Sequence, residues 1–563
     1  MSQTRFIRLA LVAVAGLAVF APLIPAGWQA PLPAAGAPSP AVVPSYGQVA
    51  PSYQEVDLGS AVGGASLAAA SAAGTKTFEM VGVTWPYRAN SARVVVKVRV
   101  LQNGKWTGWQ QLPVEDEHGP DTAAQEGRPR SGTEAFWVGT ANGVEAALTT
   151  LDGTTVRGAK VSLINPGTSP ADNAPQTMSA ATATAPAAAA AAAAPMAAAA
   201  ASRAPYRAPA IISRRGWGAD ERLRGTNGAA CAKPKYSATV QAAFVHHTVD
   251  RNNYTRAQVP AMIRAIYAFH VKGRGWCDVG YNFLVDKFGR VFEGRYGGRQ
   301  FPVLGAHTGG YNTDSFGISL IGNFQTAMPP AAMMEATART IAWKLDSNYR
   351  SPIATVVLRG KRLATVSGHR DTKATACPGV YVYRELGWLR QRVNSLMGNG
   401  TSTEIYRYVQ TLGGYTKIGQ PFWGEHPVRG GRATWFGARD VYWSAATGPH
   451  SIFGGFRARY RQPGVLDVLG LPTGEERVGQ VTGSRVQRFR SGALYWTKAT
   501  AAQPVYGLIS KKYGALGAER SRLGLPTRAA YRVNGGVQQT FQHGSITSSS
   551  RTSKVVVNYR AQP

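Results

Sequence analysis

Cysteine is nearly absent, with three residues in a chain of 563, which excludes a scaffold built on many disulfides. Acidic residues are scarce as well. Thirty Asp and Glu face 62 Lys and Arg, a formal net charge of +32 at pH 7. Such an excess excludes an acidic, solvating chain and favours an anionic partner: nucleic acid, acidic lipid or a phosphate-bearing polymer. Also missing is an unbroken apolar run of about 20 residues, the length a membrane anchor requires. The nearest approach is Leu9 to Phe20, preceded by Arg5 and Arg8 and followed by Pro22 and Pro25. That is a secretory signal pattern, so residues 1–37 read as a signal peptide, with the cut near Ala30 or Ala37 and no transmembrane segment afterwards. An exported basic protein meets the cell envelope and its anionic polymers before it meets nucleic acid, which is not expected as a partner.

The length is too great for one core and implies about three or four domains. Residues 75–167 alternate short β-rich runs with turn signals. Arg93 to Leu101 and Trp106 to Leu112 flank Asn103-Gly104, while Phe136 to Val138, Val144 to Thr149 and Lys160 to Ile164 are separated by Asn142-Gly143 and Asp152-Gly153. This predicts an antiparallel β-sandwich of unassigned role. Its Trp85, Trp106, Trp109 and Trp137 read as core before they read as a sugar-stacking surface. Residues 168–209 are rich in Ala, Pro and Thr and read as a solvated tether.

From 210 to 398 strands alternate with helices. Ala242 to His246 is a buried apolar strand, and Tyr281 to Val285 with Arg290 to Glu293 forms a hairpin around Asp286–Gly289. Gly317 to Ile321 and Ala364 to Val366 are further short strands. Val259, Met262, Ile263, Ile266 and His270 share one helix face, as do Met334, Ala338, Ile341, Ala342 and Leu345, and again Leu386, Leu389, Val393 and Leu396. The expectation is an α/β domain with a mixed sheet. Between 400 and 555 a unit recurs three times. Ile418-Gly419-Gln420-Pro421, Leu469-Gly470-Leu471-Pro472 and Leu523-Gly524-Leu525-Pro526 are followed by Phe436, Phe489 and Phe541, the first two with the pairs Tyr442-Trp443 and Tyr495-Trp496. A period just over 50 residues marks a small repeated unit whose aromatics pack internally first.

Chemistry concentrates in the α/β domain. SGHRDTKATACPG, residues 367–379, sets His369 and Cys377 across a loop, and VHHT, residues 245–248, offers a third donor from His246 or His247. Two imidazoles and a thiolate leave a tetrahedral zinc one position for water, the mark of a catalytic rather than a structural site. Cys377 precedes Pro378-Gly379 and an amphipathic run, so a helix start beside it would favour the thiolate. An attacked carbonyl would need a donor for its developing oxyanion, which Tyr281 and Thr375 could provide. Asp371 is a candidate to orient a ligand imidazole.

Five ordered segments, ISRRGWGADE, FVHHT, GWCDVGYNFLVDKFGRVFEGR, GAHTGGYNTDSFGISLIGNF and SGHRDTKATACPG, resemble the amidase-2 or peptidoglycan-recognition-protein family over about Ile211 to Met397. The resemblance implies an α/β fold, a Zn2+ cofactor, and hydrolysis of the amide between N-acetylmuramic acid and L-alanine of peptidoglycan. It maps the metal ligands to His246, His369 and Cys377 and the catalytic tyrosine to Tyr281, with Thr375 at a position that is lysine or threonine in active members. His247, His307 and Asn312 then line the groove or brace the ligands. With Cys377 on the metal, Cys231 and Cys277 are expected to pair. The C-terminal units resemble LGFP repeats of actinobacterial envelope proteins, which implies attachment to the wall. A non-catalytic peptidoglycan-binding receptor, or a structural wall protein, is the alternative; inactive relatives typically lack the zinc cysteine, and Cys377 is present.

Overall fold

A computed structural model of the chain describes residues 47–59, 67–87, 94–114, 117–121, 127, 129–151, 156–173, 203–400, 402–549 and 552–560. The expected signal peptide, the Asp152-Gly153 turn and most of the tether lie outside these residues. The ends of that tether are packed: Arg264 pairs with Asp172 at 2.7 Å, and Arg203 with Asp346 at 2.6 Å. No helix among the described residues is long and apolar enough to cross a membrane.

The N-terminal domain is antiparallel β structure whose order is carried by two long strands, Leu67–Pro86 and Phe136–Thr150. Leu67–Pro86 pairs with Phe136–Thr150 from Leu67 as far as Val81, while Met80 to Thr84 also pairs with Lys160–Asn165 and Thr84 to Pro86 with Arg130–Gly132. Register shifts between Ala73 and Met80 interrupt the pairing with Phe136–Thr150 as bulges do. Phe78, Val83, Trp85, Val98, Val144 and Leu163 form the interior. Asn142-Gly143, read above as a hairpin turn, instead lies inside Phe136–Thr150. Gly143 faces Ala73 and Leu101 on its two neighbours, and a Cβ there would come within 2.9 Å of the Leu101 Cβ, so close strand approach rather than a turn explains the glycine. Trp106 to Leu112 likewise splits into Lys105–Trp106 and Gln110–Leu112. Trp85 and Trp137 are core, Trp106 is half-buried, and Trp109 is exposed.

The central domain has a six-stranded mixed sheet in the order Val366–Gly368, Ala242–His247, Ser315–Leu320, Phe283–Val285, Val291–Glu293 and Ile211–Ile212. The first four run parallel, and the fifth returns antiparallel through the expected hairpin. Alternation along the strands sends Leu284 and Phe292 to one side, against Met262 and Ile266 of helix Gln258–Ala268. Phe283, Val285 and Val291 go to the other, against Ile341 and Leu345 of Ala331–Ser347 and Leu389 and Val393 of Leu386–Leu396. The strand read as Ala364 to Val366 divides at Thr365: Lys361–Ala364 joins a separate hairpin with Thr355–Leu358, and only Val366–Gly368 enters the main sheet. Cys231 and Cys277 are joined in a disulfide across a sequence separation of 46 residues.

Each C-terminal unit is a four-stranded antiparallel sheet, three in all among the described residues. The anchors explain the repeat. In each unit the proline bridges to the phenylalanine, Pro421 to Phe436, Pro472 to Phe489 and Pro526 to Phe541. The glycine two residues earlier takes a positive φ of 81°, 70° or 67° that lets the chain turn into the sheet. Ile418, Leu469 and Leu523 are fully buried. Phe489 stacks on Tyr460 from the unit before, so neighbouring units share a core, as a stacked array requires.

A candidate metal centre shared by two domains

His246 and His369 converge because their strands are neighbours, with Val245 opposite Gly368. His369 opens the turn that follows Val366–Gly368. Strand alternation separates the two histidines of VHHT. His246 faces the cluster, whereas Nδ1 of His247 accepts from the Phe324 N–H at 3.2 Å on the other side. The loop after His369 returns to it, since Arg370 N–H donates to the Cys377 carbonyl at 3.0 Å. Cys377 N–H donates to the Thr375 hydroxyl at 3.1 Å, which fixes the turn that presents the sulfur. Cys377 lies ahead of helix Val380–Arg384; five residues make a weak dipole, so the turn matters more than the helix end.

A fourth donor comes from a place the motifs did not indicate. His118, in a loop of the N-terminal domain, points its Nε2 at His246 Nδ1 across 3.2 Å, while Cys377 Sγ lies 3.6 Å from the same Nδ1. His118, His246, His369 and Cys377 are all buried, and their donor atoms lie within 4.8 Å of one another. The two closer separations match the edges of a tetrahedron around zinc with bonds of about 2.0–2.1 Å to nitrogen and about 2.3 Å to sulfur, which are roughly 3.3 and 3.6 Å. Neither ring nitrogen of His369 makes a well-formed hydrogen bond, although the Glu117 backbone is near enough to influence it. Buried imidazole nitrogens without a well-formed hydrogen bond, beside a thiol, are a donor set suited to a cation. The residues fit a metal.

Surrounding groups orient the donors. His118 Nδ1 is held by Glu134 Oε1 at 2.6 Å, and His246 Nε2 lies 3.2 Å from Nδ1 of His307. His307 is in turn placed by its backbone N–H, which donates to Asn312 Oδ1 at 2.8 Å. Burial holds His246, His369 and His307 well below the usual histidine range and pushes His118 down to about 3, which favours the neutral ring that a metal ligand needs. Burial pushes Glu134 up to about 7. Tyr281 is buried with its hydroxyl 3.5 Å from His118 Nδ1. Asp371 does not reach an imidazole. Its carboxylate accepts from Gly368 N–H at 2.9 Å and from the Tyr383 hydroxyl at 2.5 Å, so its task is to cap the turn. His270 is core, its Nδ1 accepting from Gly280 N–H at 3.1 Å.

Comparison with known proteins agrees with this division. Residues 236–380 match the family described as N-acetylmuramoyl-L-alanine amidase. A peptidoglycan-recognition protein of Drosophila melanogaster is 37% identical over 153 residues, 27% of this chain and 76% of its own length. Peptidoglycan recognition protein 1 of Bos taurus is 33% identical over 181 residues, 31% of this chain and 81% of its own. This chain belongs to the amidase-2 and peptidoglycan-recognition-protein family. Among solved structures, Drosophila PGRP-LB aligns at 28% identity over 32% of this chain and 92% of that one, with a TM-score of 0.26. Residues 418–466 and 469–521 match the LGFP repeat, and 34–200 match a domain described as Rv3811 N-terminal galactose-binding domain-like. The amidase match contains His246, Tyr281, His307, His369, Thr375 and Cys377. His118 and Glu134 fall in the N-terminal match, outside the amidase-2 segment. Their one sequence signal is a histidine among acidic and turn-forming neighbours, Glu117-His118-Gly119-Pro120-Asp121.

Proposed function

We propose that the chain is a secreted, zinc-dependent N-acetylmuramoyl-L-alanine amidase that hydrolyses the amide between N-acetylmuramic acid and L-alanine in peptidoglycan and is held on the wall by its C-terminal repeats. The observation that carries this reading is the convergence of His246, His369 and Cys377, three donors of catalytic zinc type, with the Tyr281 phenol beside them. When bound, zinc would lower the pKa of a coordinated water toward about 7 and polarise the scissile carbonyl.

The remaining steps belong to the protein. His307 fixes the His246 ring, and Asn312 fixes His307. The Thr375 hydroxyl holds the turn that carries the sulfur. Tyr281 donates a hydrogen bond from its phenol to the oxygen on which charge develops. The basic excess and the repeats concentrate the enzyme on an anionic wall.

A second reading, a non-catalytic peptidoglycan-binding protein, is favoured by one observation: four protein donors surround the centre, and four is the count of a structural site. Metal analysis with activity separates the two. Cys377→Ser or His369→Ala is expected to lower zinc affinity by more than about 10², beyond the effect of losing an orienting group, and to abolish amide cleavage with it. Activity that survives loss of the metal would refute the enzyme reading proposed here.

A further inference from the structure

We propose that His118 is a fourth ligand to the metal, supplied in cis by the N-terminal domain, so that the chain in this conformation is a latent amidase whose substrate groove is filled by its own loop. The inference rests on the amidase reading and deepens it. Three donors from the central domain would leave a zinc one position for the attacking water, and His118, its Nε2 3.2 Å from His246 Nδ1, would take that position.

The placement is built rather than incidental. The ligand and the group that orients it come from the same domain, with the Glu134 carboxyl on Nδ1 turning Nε2 toward the cluster. Glu134 is itself fixed, because its N–H donates to the Pro113 carbonyl at 3.1 Å. The strand segment just before it is clamped from the central domain, where Arg274 donates to the carbonyls of Arg130 at 3.0 Å and Thr133 at 3.2 Å.

The loop also engages the rim of the centre. The Glu117 carbonyl accepts from Gly309 N–H at 3.0 Å, and the Gly119 carbonyl from Asn312 Nδ2 at 2.9 Å. Asp121 accepts from Gly310 N–H at 2.8 Å, from Asn312 Nδ2 at 2.7 Å and from the Thr313 hydroxyl at 3.0 Å. Lys373, inside the metal-binding loop, pairs with Glu117 at 3.0 Å. An acidic peptide loop thus satisfies donors beside the metal that a carboxylate-bearing peptide ligand would otherwise meet. The same loop places its imidazole 3.5 Å from the Tyr281 hydroxyl, the group that must face a substrate carbonyl. Metal, donor and rim are all engaged by residues 117–121, so substrate cannot bind until this loop leaves.

Zinc X-ray absorption on the full chain carrying one zinc tests the ligand directly. Three imidazoles and one sulfur are expected for the unaltered protein; two imidazoles, one sulfur and an oxygen are expected for His118→Ala at unchanged zinc content. Hydrolysis of soluble muropeptide should then rise about 10- to 100-fold, the gain for a site held closed roughly 90–99% of the time. A count of two imidazoles in the unaltered chain overturns the proposal, and that measurement stands even if the variant does not fold. Equal rates for the unaltered chain and a well-folded variant overturn the latency. Two imidazoles in His118→Ala with no hydrolysis by either protein would keep the ligand assignment and sink the amidase reading instead. Glu134→Gln, which keeps the shape but weakens the hold on Nδ1, should raise the rate in the same direction by less.

Discussion

The N-terminal domain and the C-terminal repeats both pack on the amidase domain, but they do so differently. The N-terminal domain shares an interior with it: Met80, Trp137 and Ile164 belong to the same buried cluster as Trp217, Phe269 and Tyr281. Trp137 N–H donates to the buried Asp250 carboxyl at 2.7 Å, and Arg264 donates to the carbonyls of Pro166 and Gly167 at 3.1 and 2.9 Å. The repeats keep cores of their own and meet the amidase through an aromatic and polar edge, Phe301 on Phe422 and Trp423, and Tyr349 on Thr434. Only the first arrangement reaches the candidate metal centre. His118 of the N-terminal domain stands in the donor cluster, whereas the described residues of the repeats add no donor to it.

This contrast can be broken at graded points. Tyr281 stands where the shared core meets the centre, and Tyr281→Phe should keep the metal while slowing turnover by roughly 10² to 10³, the cost of one lost donor to developing charge; steady-state rates beside zinc content decide it. Trp137→Ala removes the largest side chain on the N-terminal side of the shared core and should lower unfolding stability by about 3–5 kcal/mol. Denaturant unfolding should show the two domains melting together in the unaltered chain and apart in the variant. If one transition persists with no loss of stability, the seam is weaker than its burial implies. Removing the chain after Gly400 should leave hydrolysis of soluble muropeptide unchanged and reduce retention on intact wall by at least about tenfold, the loss expected when linked binding units are taken away. A fall in the soluble rate would mean that the repeats reach the centre after all.

Much of the fold was legible because its signals are local. The hydrophobic period gave the helices at Gln258–Ala268, Ala331–Ser347 and Leu386–Leu396, and the Leu-Gly-x-Pro anchors gave the repeats even where the first copy departs at Ile418 and Gln420. Errors arose where a long-range contact overrode a local preference. Asn142-Gly143 has the composition of a turn, but the approach of Leu101 makes it strand. Asp371 has the charge to hold an imidazole, but the Gly368 N–H and Tyr383 hydroxyl claim it first.

The centre divides in the same way. His246, His369 and Cys377 sit in short motifs, although strand parity alone did not separate His246 from His247 until the sheet turned one toward the cluster and the other toward Phe324. His118 meets His246 across 128 residues of sequence, between two domains, and no spacing rule covers such a pair. Its partner Glu134 is 16 residues away on another segment of the β domain, a separation that carries no periodic signal either.

If three donors on the amidase domain make a metal-dependent amide hydrolase, muropeptides incubated with the full-length chain carrying His118→Ala should be cut at one bond. Mass spectrometry of the products should find free L-alanine amino termini and intact N-acetylmuramic acid, lost on chelation and restored by zinc. Uncut muropeptide in the presence of fully zinc-loaded protein, or cleavage that proceeds unchanged under chelation, would refute such a hydrolase.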